Sequence, residues 1–308
     1  MNTFFVSLLP VLLGLVLAPL LLGVIHRTKA VFAGRHGSPL LQAYSDLAKL
    51  LRKGAVYSRT TTWVFRAAPV IGLASVVSVM VLLPITGNSA PLSFVGDLIV
   101  FIYVLGLMRF FTVVAALDTG SSFEGMGASR EVHFSALAEP AIVVGLVALA
   151  SATGFLSLSG IFSAMSPTTW VVAGPALALV LAALFIVFLA ENSRIPIDDP
   201  NTHLELTMIH EVMILDYSGP DLALVLYAAA LKLWVLGALI VNVALSPLGL
   251  NGIRGVGLFV AGMLVLAVIV GCVESMMARS SFLKVPRLLV TAIALSGIAF
   301  MLIVRFTA

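Results

Sequence analysis

The chain has 308 residues, of which 61% are hydrophobic and 10% are charged, and its formal net charge is +3 at pH 7. A mean hydropathy of +1.16 excludes an ordinary soluble domain. Apolar runs of about 20 residues recur along the chain, and each is long enough to cross a bilayer as a helix. The single cysteine excludes an internal disulfide and cysteine-ligated clusters. We therefore predict an all-α, polytopic membrane protein that forms one transmembrane domain over residues 1–308.

Eight transmembrane helices are predicted from the positions of these runs. They lie at about 4–25, 64–84, 95–117, 135–157, 170–190, 221–245, 256–278 and 286–304. Basic residues concentrate in the loops that follow the odd-numbered spans, and eight lie between Arg27 and Arg66, in the first of these loops and the start of the span that follows it. Because cytoplasmic loops carry an excess of Lys and Arg, we expect both termini on the non-cytoplasmic side of the cytoplasmic membrane.

The first predicted cytoplasmic loop, 26–63, contains an amphipathic helix at 39–53. Its apolar residues share one face, whereas Gln42 and Asp46 lie largely opposite. A helix of this kind lies in the headgroup layer or forms a docking surface for a partner, and the two roles are compatible. Gln42 and Asp46 are therefore candidates for a surface that faces a chamber or a partner.

Two further predicted cytoplasmic loops, 118–134 and 191–221, contain most of the acidic residues of the chain. Seven of the 14 acids lie in the second loop: Glu191, Asp198, Asp199, Glu205, Glu211, Asp216 and Asp221. Ionised groups beside an apolar phase need a partner, a water path or a function. In the first loop, glycines are expected to interrupt the chain before a helix that Ser129 caps, and Glu131 and Glu139 would share a face of that helix. Converging loops would form either a proton path or a solvated charged rim.

Charged residues inside the predicted spans are a second group of candidates. Lys232 is central in the sixth span, and Glu274 lies towards the cytoplasmic end of the seventh. Buried groups of this kind can exchange protons near neutral pH, and the alternative is that Lys232 and Glu274 pair to hold helices together. Arg109 and Glu139 fit either a function inside the membrane or side chains that extend to its surface.

Metal and electron carriage are not expected of this chain. All five histidines fall in predicted loops or at span ends, where surface or capping roles are usual, and haem in a membrane requires ligands within the spans. The His210-Glu211 pair lacks the second histidine of a zinc HExxH motif. We expect no metal site, no cofactor bound by this chain and no contact with nucleic acid.

Three stretches, in order, resemble the complex I subunit 1 family. They are GSPLLQAYSDLAKLL (37–51), DTGSSFEGMGASRE (118–131) with Ala138-Glu139-Pro140, and ENSRIPIDDP through DYSG (191–219). The resemblance covers nearly the whole chain and is greatest to the subunit 4 type of formate hydrogenlyase and other group 4 membrane-bound hydrogenases. It implies a chamber and an acidic path lined by Glu139, Glu191, Asp198 and Glu205. It also implies that Arg130 and Arg194 face a soluble arm. Asp216 of the DYSG motif is a further candidate to face the chamber or a partner.

One difference from the quinone-reducing members indicates which branch of the family this chain resembles. Quinone-reducing members have an acid-rich run where this chain has NTHLELTMIHEVMILDYSG, with Asp216 before Tyr217. The apolar link is similar to the hydrogenase-type branch and favours a water-filled coupling chamber over a quinone site.

For that branch, the resemblance implies a membrane subunit that is not catalytic alone. Its expected partners are the lipid bilayer, antiporter-like membrane subunits, and soluble hydrogenase large and small subunits that hold a nickel–iron ([NiFe]) centre and iron–sulfur clusters. Redox chemistry would be coupled to proton or sodium transport through an acidic cluster. From the resemblance and from burial, the candidates are Glu131, Glu139, Glu191, Asp198, Asp199, Glu205, Glu211, Lys232 and Glu274. The alternatives are the quinone-chamber subunit of NADH:quinone oxidoreductase, a purely structural anchor and an independent transporter.

Overall fold

The computed structural model describes residues 3–85, 89–198, 209–249, 252–277 and 284–307 of the chain. Within these ranges most of the backbone is helical. The α-helices are α1 (Thr3–Phe32), α2 (Gln42–Leu51), α3 (Trp63–Leu82), α4 (Asp97–Asp118), α5 (Ser122–Thr153), α6 (Leu158–Ala164), α7 (Pro167–Glu191), α8 (Gly219–Leu245), α9 (Gly252–Met276) and α10 (Val285–Thr307). Short 3₁₀ helices lie at Glu211–Ile214 and Ser246–Leu248.

Eight of the described helices are long and apolar enough to cross a membrane: α1, α3, α4, α5, α7, α8, α9 and α10. The predicted all-α protein with eight transmembrane helices is therefore confirmed. The most buried of the eight is α8, and 61% of its apolar window lies inside the molecule. It packs against α1, α3, α7 and α9, so a charged side chain on α8 is enclosed by other helices.

The start of α5 differs from the sequence prediction. The helix begins at Ser122 instead of near 135, so most of the predicted loop 118–134 is helical. Gly127 lies inside the helix, where an added Cβ would meet Val212 Cγ1 at 2.2 Å and the Ile209 carbonyl oxygen at 2.9 Å. The glycine therefore permits close approach of the 209–214 segment and does not interrupt the chain. With 32 residues, α5 is about 48 Å long and exceeds the roughly 30 Å apolar layer of a bilayer.

The amphipathic segment forms α2, which lies within the predicted range 39–53. None of its residues is fully buried, and the preceding Leu40 and Leu41 are 46% and 61% exposed. The helix packs against α1 and α8, and the Tyr44 hydroxyl donates a hydrogen bond to the Val16 carbonyl oxygen of α1. It therefore covers one side of the bundle while the leucines before it face outwards.

The connections of the bundle lie at two opposite ends. At one end, the Leu158 amide donates to Asp97 Oδ1 (2.7 Å) and Asn242 Nδ2 donates to the Pro84 carbonyl oxygen (2.8 Å). Asp97 is fully buried there and holds the α3–α4 and α5–α6 connections together. The described segments that follow α1 and α4 and precede α8 meet at the other end, where the Val56 amide donates to Ser218 Oγ (2.9 Å) and the Thr62 amide donates to Asp118 Oδ2 (2.7 Å). This is the end predicted to face the cytoplasm.

The DYSG motif fixes the start of α8 at that end. The Tyr217 ring stacks on Phe65 with a centroid distance of 4.0 Å, and its hydroxyl donates to the Phe65 carbonyl oxygen at 2.8 Å. Gly219 has φ of +55°, and an added Cβ would lie 2.5 Å from the Gly54 carbonyl oxygen. Only glycine combines this backbone conformation with such a close approach. The motif therefore joins α8 to α3 and to the loop before α3.

Candidate functional site

A cavity of about 590 Å³ opens between α1, α2, α4 and α8 and the segments that follow α7 and precede α8. Part of its wall is apolar and includes Pro19, Leu22 and Leu226. Its charged and polar lining includes His26, Gln42, Asp46, Arg109, Glu131, Glu191, Arg194, His210, Glu211 and Lys232. The volume lies within the range of small-molecule sites.

Arg109 of α4 is at the centre of this polar lining. Its Nε lies 3.2 Å from Glu131 Oε1, and its two terminal nitrogens pair with Glu139 and Glu191. The side chain is only 11% exposed, so Arg109 points inwards and does not extend to the membrane surface. A planar guanidinium can hold three carboxylates in this way because its donors form a rigid fork.

Lys232 of α8 continues the network from Glu191. Its Nζ lies 2.7 Å from Glu191 Oε2, so one carboxylate is shared between Arg109 and Lys232. The alternative in which Lys232 pairs with Glu274 is therefore wrong. The physical reason is helix packing: Lys232 reaches the end of α7, whereas Glu274 belongs to the α1–α9 contact.

His210 extends the network on the other side of Arg109. Its Nε2 lies 3.0 Å from Glu131 Oε2, and its Nδ1 lies 3.3 Å from Asp198 Oδ2. Its backbone amide also donates to Asp198 Oδ2 at 3.2 Å. Burial alone lowers the pKa of His210, but the carboxylates of Glu131 and Asp198 raise it to about 10. The expected surface or capping role is therefore wrong for His210.

These contacts form one continuous series, which we call the ionic chain. Its members in order are Asp198, His210, Glu131, Arg109, Glu191 and Lys232, with Glu139 as a branch from Arg109. From the sequence alone, Arg109 fits either a function inside the membrane or a side chain that extends to its surface, and a surface or capping role is expected of His210, so neither is assigned to the site. A charge deep in an apolar span is a signal for Arg109. Acids on both sides of His210 in the sequence are the corresponding signal for the histidine.

Glu274 forms a second, separate group. Its carboxylate lies 2.7 Å from Lys29 Nζ and 3.4 Å from Arg194 Nη1. Arg194 is 5% exposed and lines the cavity. Burial lowers the pKa of Arg194, and Glu274 partly offsets this effect. The group joins α1 and α9 to the segment after α7.

Some of the other predicted site residues line the cavity and some do not. Gln42 and Asp46 line it and are hydrogen-bonded to each other at 2.8 Å, and Glu211 also lines it. Arg130 contacts Met126 Sδ at 3.1 Å and is not part of the described lining. Asp216, which is predicted to face the chamber or a partner, is exposed, and its backbone amide donates to the buried Glu124 at 3.1 Å. Asp199 and Glu205 lie outside the described residues.

The position of His210 predicts a specific pH dependence of stability. Because its folded-state pKa of about 10 is above the ordinary value of 6.5, the stabilisation is complete below pH 6.5. It is lost as the pH rises through about 10, at up to about 1.4 kcal/mol per pH unit. The thermal stability measured in detergent should therefore fall more steeply with pH for the wild type than for His210→Asn.

A matched control for this measurement is His133→Asn. His133 lies on the exposed face of α5, where its ring packs against Phe134. This variant should retain the wild-type pH profile. Parallel profiles for the wild type and His210→Asn would contradict the pairing of His210 with Glu131 and Asp198.

The fold and the site together define a polytopic helical membrane protein with buried ion pairs along one wall of an internal cavity. The chain belongs to the complex I subunit 1 family, because the family model described as NADH dehydrogenase matches residues 5–305. The resemblance found in the three sequence stretches is thereby confirmed.

Curated relatives and a solved structure agree with this assignment. The chain is 32% identical to formate hydrogenlyase subunit 4 of Escherichia coli over 270 residues, which cover 87% of this chain and 85% of the relative. It is 30% identical to hydrogenase-4 component C of the same organism over 298 residues, which cover 93% and 91%. An NADH-quinone oxidoreductase subunit of Rubrobacter xylanophilus is 29% identical over 189 residues, or 60% and 56% of the two chains.

A chain of the membrane-bound sulfane sulfur reductase, an archaeal respiratory membrane complex, has the same fold. Its TM-score is 0.82 at 18% identity, and the match covers 98% of this chain and 100% of the other.

Proposed function

We propose that this chain is the membrane subunit of a hydrogenase-type complex and that it couples redox chemistry in soluble partners to ion transport. The relatives named formate hydrogenlyase subunit 4 and hydrogenase-4 component C support the type of complex. The observation that carries the coupling is the ionic chain, which runs without interruption from Asp198 to Lys232 beside the cavity.

The alternating charges of the ionic chain provide a physical route for coupling. Protonation of Glu131 would release its two cationic neighbours, Arg109 and His210, towards Glu191 and Asp198. The protonation state of Glu131 would therefore influence Glu191 and Asp198 through their shared cations. A change of charge in a partner docked over the cavity would alter the proton affinity of the carboxylate nearest to that partner. The effect would then pass from one member of the ionic chain to the next.

The electron carriers of this proposal belong to the partners. A nickel–iron centre and iron–sulfur clusters would be held by the soluble large and small subunits, where they supply electron transfer. Soft thiolate ligands suit such centres, and this chain has only Cys272. The role of this chain is to anchor that arm through the exposed end of the bundle and to pass charge changes to antiporter-like membrane subunits, for protons or sodium ions.

The test replaces one carboxylate of the ionic chain in the assembled complex. Glu131→Gln keeps the side-chain volume but removes the charge that joins Arg109 to His210. We expect the number of ions transported per hydrogen molecule produced to fall about tenfold, the change that one pKa unit represents. The measurement combines hydrogen production with ion uptake by proteoliposomes.

The matched control is Glu124→Gln on the same helix. Glu124 is 1% exposed and accepts a hydrogen bond from the Asp216 amide, but it is not part of the ionic chain. A glutamine can still accept that bond, so this variant should keep the wild-type ratio. A purely structural anchor would tolerate both substitutions, and a wild-type ratio in Glu131→Gln would refute the coupling proposal.

A second candidate function is a quinone chamber, as in NADH:quinone oxidoreductase. The observation that favours it is the volume of about 590 Å³ combined with the apolar wall at Pro19, Leu22 and Leu226. Reduction of a short-chain quinone by the assembled complex would support this function. Transport coupled to hydrogen production without quinone would favour the first.

A further inference from the structure

Ser296 of α10 is a buried residue whose hydroxyl forms a hydrogen bond to another helix. The residue is 0% exposed, and its Oγ donates to the Ala141 carbonyl oxygen of α5 at 3.0 Å. Serine and threonine hydroxyls inside helices often donate to the carbonyl group four residues earlier in the same helix. Within the described spans, such bonds are formed by Thr28, Ser75, Ser78, Thr112, Ser275 and Thr291. The hydroxyl of Ser296 instead joins two helices.

The buried face of α10 has Ser296 near its centre. This helix packs against α5 and α7. Its buried residues recur at alternating intervals of four and three, as in the seam of a coiled coil: Val285, Leu289, Ala292, Ser296, Ala299 and Ile303. The other five members of this seam are apolar. A single polar residue in such a seam fixes the register of the helices, because its hydrogen-bond partner is available at one position only.

Gly145 of α5 lies where α5, α7 and α10 meet. An added Cβ at this position would lie 3.5 Å from Ser296 Oγ, 3.6 Å from Leu184 Cδ2 and 3.9 Å from Val180 Cγ1. The last two side chains belong to α7, which ends at the carboxylate of Glu191. The three helices are therefore in contact beside the hydrogen bond of Ser296, and the register of α10 affects α5 and α7 together.

The hydrogen bond from α10 reaches α5 at a turn that is weakened by proline. Pro140 has no backbone N–H, so one hydrogen bond of the helix is missing there. Glu139 directly precedes this proline, Glu131 lies about two turns earlier, and both carboxylates pair with Arg109. The bond from Ser296 therefore restrains α5 from outside, next to the residues that Arg109 contacts.

We propose that Ser296 is a positioning residue for the ionic chain. By fixing the register of α10 against α5 and α7, its hydrogen bond sets the depth of Glu131 and Glu139 relative to Glu191 of α7. Arg109 contacts these three carboxylates together only while their relative depths are maintained, because the donors of a guanidinium form a rigid fork. The inference rests on the proposed function, since it concerns the geometry in which the ionic chain supports transport.

The first experiment measures the restraint on α5 by amide hydrogen exchange of the assembled complex, without turnover. Ser296→Ala removes the hydroxyl group with little change in volume. We expect peptides that cover residues 137–146 to exchange about threefold faster, which is the factor that an average hydrogen bond between transmembrane helices represents. Peptides that cover residues 122–130 should exchange as in the wild type. Unchanged exchange over residues 137–146 would overturn the inference.

The second experiment tests whether this restraint supports transport. In Ser296→Ala, the number of ions transported per hydrogen molecule should fall about threefold, while hydrogen production per assembled complex stays at the wild-type level. Ser296→Cys keeps a weak donor of similar size, so it should restore part of the ratio. The matched control is Thr291→Val, because the hydroxyl of Thr291 donates within α10, to the Arg287 carbonyl oxygen at 2.8 Å.

The control should keep the wild-type ratio of ions to hydrogen. A wild-type ratio in Ser296→Ala would overturn the positioning role, and so would an equal fall in Thr291→Val or the absence of any recovery in Ser296→Cys.

The positioning role and the coupling function fail in different ways. If Glu131→Gln lowers the transport ratio while Ser296→Ala keeps it, the coupling function stands and Ser296 does not position the ionic chain. If Glu131→Gln keeps the wild-type ratio while exchange over residues 137–146 rises in Ser296→Ala, the coupling function is wrong. The hydrogen bond would then stabilise the packing of α10 without a role in transport.

Discussion

Arg109→Met should abolish ion transport and destabilise the assembled complex. The substitution leaves Glu131, Glu139 and Glu191 without their shared cation, in positions that are mostly enclosed by helices. Removal of one partner from a buried ion pair costs about 3–5 kcal/mol, because the remaining charge stays desolvated. Thermal unfolding of the purified complex and ion uptake by proteoliposomes measure the two effects.

Two other arginine variants test whether the effect is specific to the guanidinium group of Arg109. Arg109→Lys keeps the charge but replaces the fork with a single ammonium group, so we expect an intermediate stability and weak transport. Arg66 is exposed, where its guanidinium lies 4.5 Å from the Tyr57 ring centroid. Arg66→Met should change stability by no more than about 0.5 kcal/mol. An Arg109→Met complex with wild-type unfolding and transport would show that the ionic chain is dispensable.

Glu191→Gln should reduce ion transport more than any other single carboxylate substitution in the ionic chain. Glu191 is the one carboxylate that contacts both Arg109 and Lys232 among the described residues, so its loss separates Lys232 from the rest of the chain. Loss of a buried, charge-assisted contact of about 2–3 kcal/mol corresponds to a decrease of about 30- to 150-fold. Ions transported per hydrogen molecule produced are again the measurement.

A double-mutant cycle separates the structural role of Glu191 from its role in transport. Glu191→Gln alone removes the carboxylate that pairs with the Lys232 ammonium group and leaves that ammonium group buried. Adding Lys232→Met to the same chain removes the buried positive charge as well. We expect the double variant to regain part of the lost thermal stability, because the two sites interact directly. Ion transport should remain as low as in Glu191→Gln alone. A double variant that regains transport would exclude the ionic chain as the route.

The number and type of the helices could be predicted from sequence because hydropathy over about 20 residues is a local property. The start of α5 could not be predicted in the same way. Gly127 is read locally as a break, but in the folded chain it admits Val212 and the Ile209 carbonyl group against a continuous helix. That function of a glycine depends on a segment that is distant in the sequence.

The acids of the site could also be predicted, but their partners could not. Charged residues inside an apolar sequence identify Lys232 and Glu274 as candidates for the site. The residue that each of them pairs with depends on which helices are in contact. Because α1 packs against α9, Glu274 meets Lys29, and because the end of α7 faces α8, Lys232 meets Glu191. A single sequence contains no direct record of these contacts.

The length of α5 gives the carboxylates a mechanical connection to the exposed end of the bundle. Glu131 and Glu139 lie about 14 and 26 Å along one helix from Ser122, and Pro140 follows immediately. A proline removes a backbone hydrogen bond and makes a helix bend at that point. The part of α5 before Pro140 can therefore tilt about this bend, which lies inside the membrane. A protein that pushes on the start of α5 would therefore shift Glu131 relative to Arg109, whereas Glu139, directly before the bend, would move little.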